Sequence, residues 1–525
     1  MNPPLYPKVG DASFSRRTFL TGSASFALAA LLSNQALGVT RTASRFPAYP
    51  FTLGVASGDP LPDGMVLWTR LAPLPRESGG GMPREPVKVD WQLAEDEGMS
   101  RVVKRGTVAA VPEWGHSVHV EVEGLKPDRW YWYQFKAGGE VSPLGRTRTM
   151  PPAGAAADRL RFAFASCQHY GQGYYTAFEH MAREDLDLVV HLGDYIYEKG
   201  DVKEPVRRIH TPEIFTLDDY RARYALYKSD AALQAAHAAA PWIVTWDDHE
   251  VSNNYANDIH EHPDRYTRDE FLQRRAAAYQ AYFEHMPLRR ASLPHGPDML
   301  LYRRLEFGQL ASFHVLDTRQ YRTDQPLGDG LKVVTPEVLD ERGTLMGDRQ
   351  RQWLFDGLDR SAAGWNIVAQ QIMMVCFDQQ VGPGVKTWMD QWSGYEAERR
   401  RLVRHFGDSP ARNPVVLTGD IHTNWANELA PVFDSPDAAP TAVEFVGTSI
   451  TSNGETHPSF AAEIMAENPH VKYFNGERGY VSCEITPQQW RTEYQCVPYV
   501  DRPGAPLITR ASFVVEDGRS KLNRV

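Results

Sequence analysis

The sequence predicts an α/β protein in two parts: a small all-β domain, then a larger domain with a central sheet covered by helices on both faces. Three observations carry this. At 525 residues the chain is too long for one ordinary hydrophobic core. Residues 49–150 show only short runs that alternate apolar and polar residues between turn signals. Beyond residue 158, apolar runs alternate with segments of helical periodicity.

The N-terminus comes first. "SRRTFLTGSASFALAALL" places Arg16 and Arg17 ahead of a short apolar stretch of small residues. This predicts a twin-arginine signal peptide over 1–38, ending near "ALG" at Gly38. It implies export in folded form through the twin-arginine translocase, and a periplasmic or secreted location. In 45–150, "HSVHVEVEGL" (116–125) and "WYWYQFKA" (130–137) alternate around a turn at Pro127–Asp128. This predicts a β-sandwich resembling fibronectin type III. "PPAGAAAD" (151–158) reads as a linker.

The larger domain is expected over 158–515. Its strands are expected in 160–167, 187–194, 242–249, 310–317, 365–374 and 414–422. Helices are expected at 174–185 and 267–286, the second with Tyr279, Tyr282 and Phe283 as a core-facing stripe. The composition is that of a soluble globular protein, 42% hydrophobic and 23% charged. The net charge of −10 argues against general nucleic-acid binding. No apolar run is long enough to span a membrane. Cys483 and Cys496 lie in two strand-like segments close in sequence, where a hairpin could bring them face to face as a disulfide.

Four expected strands finish in residues that a metal would choose: Cys167; Asp194 and Tyr197; Asp247, Asp248, His249, Glu250, Asn253 and Asn254; Asp420 and His422. Ligands of open α/β sheets collect at the carboxyl ends of strands. A thiolate, a phenolate and a carboxylate suit iron(III). Asp and Asn oxygens suit a harder divalent ion: calcium, magnesium or manganese. Asp194, lying centrally, is the natural bridge. Two ions so held can clamp a phosphoryl group and generate hydroxide at neutral pH.

"GDYIY", "WDDHEVSNN" and "GDIHTNW" resemble the boxes of calcineurin-like metallophosphoesterases. With "FTLGVASGDPLPDGMVLWTRL", "FASCQ" and "LDTRQYR", nearly the whole chain resembles the PhoD-like alkaline phosphatases and phosphodiesterases. The resemblance implies a four-layer α/β/β/α phosphoesterase domain containing Fe(3+) and Ca(2+). It implies metal ligation by Cys167, Asp194, Tyr197, Asp248, Asn253, Asp420 and His422. His249 would bind the phosphate or protonate the leaving group, and metal-bound hydroxide would attack a phosphate mono- or diester. A phospholipase D-like action on phospholipid headgroups is the neighbouring alternative.

Other residues admit two readings. Arg319 either forks onto phosphate oxygens or pairs with Asp317 or another acid. Gln370 and Gln371 either support metal ligands or satisfy core groups. Asp247 is expected in a structural hydrogen bond, and Glu250 is expected to orient His249. "TSITSNG" (448–454) either lines the pocket or makes a surface turn. His169 is expected to be incidental, and the basic run 398–405 to be a solvated helix face.

Overall fold

The computed structural model describes residues 46–525, apart from residue 201 and the segments 433–437 and 455–457. The expected signal peptide lies outside the described residues. The rest is a mixed α/β protein with several sheets.

The largest sheet has ten strands. At its centre Leu160–Ala165, Leu188–His191 and Trp242–Val244 run parallel. A second sheet of seven strands is built around the parallel strands Ala311–Val315, Trp365–Ala369, Pro414–Thr418 and Ala442–Val446. Alternation along the strands divides their side chains between cores. Phe162, Phe164, Val190 and Ile243 of the first sheet share one buried cluster with Phe313, Ile367, Leu417 and Phe445 of the second. The opposite residues of the first sheet, Ala163, Val189, Trp242 and Val244, pack with Tyr220, Leu233, Tyr279 and Tyr282 from helices. Val368, Val416 and Val446 of the second sheet pack with Leu354, Leu358, Leu402 and Val403.

The helices begin where the sequence supplies caps. Thr216 and Asp219 form a capping box on Leu217–Lys228, and Thr267 and Glu270 form one on Arg268–His285. The stripe Tyr279, Tyr282 and Phe283 is buried, as core packing requires. Glu396–Asp408 carries the basic run. It buries Glu398, Arg399, Leu402 and Val403, so only part of that run is a solvated face.

In the first 150 residues, Val55–Leu61, Gly64–Arg70 and Ser117–Val122 face a separate five-stranded sheet across a core that includes Met65, Leu67, Val89, Val120, Tyr133 and Phe135. These three strands also extend the ten-stranded sheet, because Gly58 pairs in parallel with Trp242. The segment 151–158 is therefore not a structural gap. The shared ladder removes an edge that a free-standing sandwich would expose.

The disulfide expectation is corrected. Arg478–Ile485 and Gln489–Val497 do form a hairpin, but Cys483 faces Thr492 and Cys496 faces Gly479. All four cysteines are free and buried. The register sets the two thiols at different rungs, beyond disulfide reach.

Candidate metal centre

The expected ligands sit in the loops just past the strand ends. Cys167, Asp194, Asp420 and His422 adopt left-handed backbone, with φ of 59°, 56°, 61° and 58°. That region costs a residue other than glycine about 1–2 kcal/mol, and such strain gathers at functional sites. It turns the chain sharply where each ladder ends. Hydrogen bonds hold the turns: the Cys167 N–H donates to Gly193 O (3.1 Å) and the Gln168 N–H to Asp194 O (3.1 Å). Gly193 precedes Asp194 because a Cβ there would lie 2.5 Å from the Asp247 backbone nitrogen. The second and third loops meet at that point.

Three overlapping groups of donors result: Cys167, Asp194 and His422; Asp194, Asp248 and His249; and Asp247, Asp248 and Asp420. Within each group the ligand atoms lie within 4.8 Å of one another. Asp194 and Asp248 each belong to two groups. Asp194 Oδ1, Asp247 Oδ2 and Asp248 Oδ1 are buried without a hydrogen-bond partner. Buried carboxylate oxygens without partners are costly unless a cation satisfies them, so the residues present fit metal ions. The donors are graded: thiol and imidazole at one end, carboxylates alone at the other. That gradation separates a softer ion from a harder one.

The electrostatics agree. Burial, reinforced by Asp248, Asp247 and Glu250, pushes the Asp194 carboxyl well above the usual range. Burial likewise raises Asp247. Burial, with Asp248, Asp390 and Asp194 crowding it, raises Asp420 to about 7. Asp248 goes the other way: Arg319 and His249 outweigh burial and hold it low. Burial and the Asp194 charge raise both the Cys167 thiol and the Tyr197 phenol. Bound cations would reverse these upward shifts.

Tyr197 is the hub of the thiol end. Its hydroxyl donates to Asp194 Oδ2 (2.8 Å), accepts from Ser452 Oγ (2.7 Å) and lies 3.1 Å from His422 Nε2. Burial drops His422 to about 4, so its ring is neutral. Its Nδ1 stands 2.7 Å from Asn453 O, an acceptor only, and must donate. Nε2 therefore presents its lone pair toward Tyr197 and Asp194, as a ligand requires. Ser452 and Asn453 belong to "TSITSNG", which lines the site. His169 lies tilted against Tyr197 with ring centroids 4.6 Å apart, closer to the site than expected.

Several expectations are corrected. Glu250 does not orient His249; its carboxylate accepts the backbone N–H groups of Asp194 (3.1 Å), Tyr195 (2.5 Å) and Asp247 (2.8 Å), clamping two ligand loops together. Glu198 orients His249 instead, with Oε2 2.6 Å from Nδ1. Burial opposes charge on both, yet Glu198 is lowered to about 2 and His249 raised well above the usual imidazole range by their mutual attraction and other charges. Arg319 is fully buried and pairs with acids other than Asp317, while its Nη2 has no hydrogen-bond partner and lies 3.8 Å from Asp248 Oδ1 and 3.9 Å from Asp420 Oδ1. Its Nε donates to Asp247 Oδ1 (2.5 Å) and its Nη1 to Asp390 Oδ1 (2.9 Å). Gln370 and Gln371 satisfy core groups, Gln370 bonding Thr418, Trp392 and Ile372 O, and Gln371 bonding Thr245, Thr318 and Leu316 O.

Asn253, expected as a ligand, donates its amide nitrogen to Glu261 Oε1 (2.7 Å) and its backbone N–H to Glu198 Oε1 (3.0 Å), bonds that do not engage the amide oxygen a metal would take. Its neighbour Asn254 lines the cleft over the carboxylate end. Sequence reasoning missed Glu198, Gln391 and Asp390. Glu198 directly follows "GDYIY", a weak signal. Gln391, whose Nε2 donates to Asp420 Oδ2 (2.5 Å), and Asp390 lie in a segment without a strand signal. The cleft has a volume of about 290 Å3 and is bounded by Asn254, Asp390, Gln391, Asp420 and His422 on its polar side.

Comparison with known proteins gives the same answer. Residues 162–494 match the family described as PhoD-like phosphatase, and residues 36–151 match its N-terminal domain. Alkaline phosphatase D of Bacillus subtilis (strain 168) is 50% identical over 524 residues, covering 98% of this chain and 89% of that protein. A solved structure titled "Structure of PhoD" is 52% identical, with a TM-score of 0.89 over 92% of this chain and 93% of the other. The protein is thus a phosphoric ester hydrolase. Within that class, the chain belongs to the PhoD-like phosphatase family.

Proposed function

We propose that this chain is an exported, metal-dependent hydrolase of phosphate mono- and diesters. The graded donor set carries the reading. Cys167, Tyr197, Asp194 and His422 would hold iron(III), and Asp194, Asp248 and Asp420 would hold calcium. Such ions would supply the positive charge that neutralises a phosphoryl group and would acidify the attacking water. The chain's own residues do the rest. Water attacks phosphorus in line with the departing alkoxide. His249, kept as an imidazolium by Glu198, donates a proton to that alkoxide. Glu250 and Arg319 hold the ligand loops in register.

The fold reading has the same standing: a four-layer α/β/β/α domain behind a fibronectin-like sandwich, supported by one core between the two large sheets and one outside each. Export rests on Arg16 and Arg17. Replacing both with lysine is expected to retain the protein in the cytoplasm; unchanged export would remove the twin-arginine translocase as its carrier. Among the described residues no helix is long and apolar enough to cross a membrane.

The direct test pairs elemental analysis of the purified enzyme with assays on a monoester and a diester. Iron with calcium and hydrolysis of both are expected; zinc alone would overturn the ligand assignment. Phospholipid headgroup hydrolysis is a second reading. Val333, Val381 and Trp388 favour it, because they stand exposed on segments that flank the cleft. Assay on choline phospholipids decides between them.

A further inference from the structure

The cleft has two unlike sets of lining residues. Besides the ligands Asp420 and His422 it is lined by Phe377, Trp388, Trp425 and Phe474. Phe377 and Phe474 pack edge-on against Trp425, with ring centroids 4.7 and 4.6 Å away, and Trp425 is buried. These rings already have aromatic partners. Trp388 does not share that packing: it is 40% exposed at the cleft. An exposed indole sacrifices the burial that a residue of its size usually obtains.

The exposure does not come from a loosely held segment. Lys386–Trp388 pairs with Leu331–Val333, Trp388 opposite Leu331. Two residues on, Asp390 accepts hydrogen bonds from Arg319 Nη1 (2.9 Å), Arg322 Nη1 (2.8 Å) and Gln325 Nε2 (2.8 Å). Gln391 bonds the ligand Asp420. From the other strand of the ladder, Asp329 accepts from the Asn254 amide (2.5 Å). The backbone that carries the indole is therefore tied to the ligand loops at three points. Arg319 contributes one of them.

We propose that Trp388 is a specificity-determining residue: it receives a planar ring, aryl or heteroaryl, on the organic group of the phosphate ester. This rests on the phosphoric-ester reading above. A ring laid on the indole buries apolar area on both partners and gains from ring–ring geometry, worth on the order of ten-fold in binding.

The test uses the metal-loaded enzyme and two phosphonates that cannot be hydrolysed, phenylphosphonate and methylphosphonate, as competitive inhibitors of 4-nitrophenyl phosphate hydrolysis. Each has one organic group, so only one can occupy the cleft. Wild type is expected to bind the phenyl compound about ten-fold more tightly. Trp388→Ala is expected to bring the ratio of inhibition constants close to one, and Trp388→Phe to retain much of it. An equal ratio in wild type and Trp388→Ala, or no preference in wild type, overturns the proposal. Absence of 4-nitrophenyl phosphate hydrolysis by the wild type would instead count against the ester-hydrolase reading itself.

Discussion

Glu198 Oε2 lies 2.6 Å from His249 Nδ1, and Glu198 is fully buried. The pair fixes both the orientation of the imidazole and its charge. Burial works against the imidazolium, but Glu198, Asp248 and Asp194 outweigh it. A proton donor raised in this way stays protonated toward alkaline pH and is lost as pH rises through its pKa.

Glu198→Gln removes the anion and keeps the shape. The alkaline limb of the pH–rate profile is expected to move toward neutrality. The kcat for an alkyl ester is expected to fall about 10²-fold. A 4-nitrophenyl ester, whose leaving group needs little protonation, should lose much less. Equal losses on both esters would remove proton donation from the role of His249.

Tyr197→Phe removes one oxygen among Asp194, Ser452 and His422. If that phenol binds iron(III), the charge-transfer absorption of the wild type disappears in the variant while iron is still present. Visible spectra on samples with measured iron content check this. An unchanged band at equal iron content would take Tyr197 out of the ligand set.

Glu250→Gln takes the charge from a clamp on three backbone N–H groups. A carboxamide has a single acceptor oxygen, so one or two donors lose their partner. Stability is expected to fall by about 2–4 kcal/mol, measured by urea unfolding, with weaker metal retention on dialysis.

Asp194, Asp247 and Asp420 are raised, so the metal-free folded protein binds more protons than the unfolded chain between about pH 4 and 7. Stability of the stripped protein therefore decreases as pH rises through that window. Added iron and calcium should raise Tm more at pH 8 than at pH 5. Scanning fluorimetry of chelated and reloaded protein measures the difference; a pH-independent increment would separate these carboxylates from the metals.

Arg319→Met leaves Asp247 buried without its cation and takes from Asp390 one of its two guanidinium partners. The cost is expected to be about 3–5 kcal/mol. On the bracing role alone, inhibition by inorganic phosphate keeps its wild-type constant in metal-loaded samples. A large loss of phosphate affinity would restore the fork reading.

The sequence determined the donor chemistry. Cys167, Asp194, Asp248, Asp420 and His422 are legible because each ends or follows an apolar run, and strand ends on one edge of parallel sheets must converge. The core stripe on Arg268–His285 is legible for the same local reason, a period matched to a helix. What each acid does was not legible. Glu250 and Glu198 are both acids beside a motif, yet one clamps backbone and the other holds an imidazole. Only the tertiary structure decided this, because Glu250 reaches Asp194 and Tyr195, 56 and 55 residues away, and Glu198 reaches His249, 51 residues away. It also decided the hairpin register that separates Cys483 from Cys496, and the pairing of Arg319 with Asp247 and Asp390 rather than Asp317. Local pattern fixes which side chains are offered. Long-range packing fixes which partner is within 3 Å, and at that distance hydrogen bonding and charge assign the role.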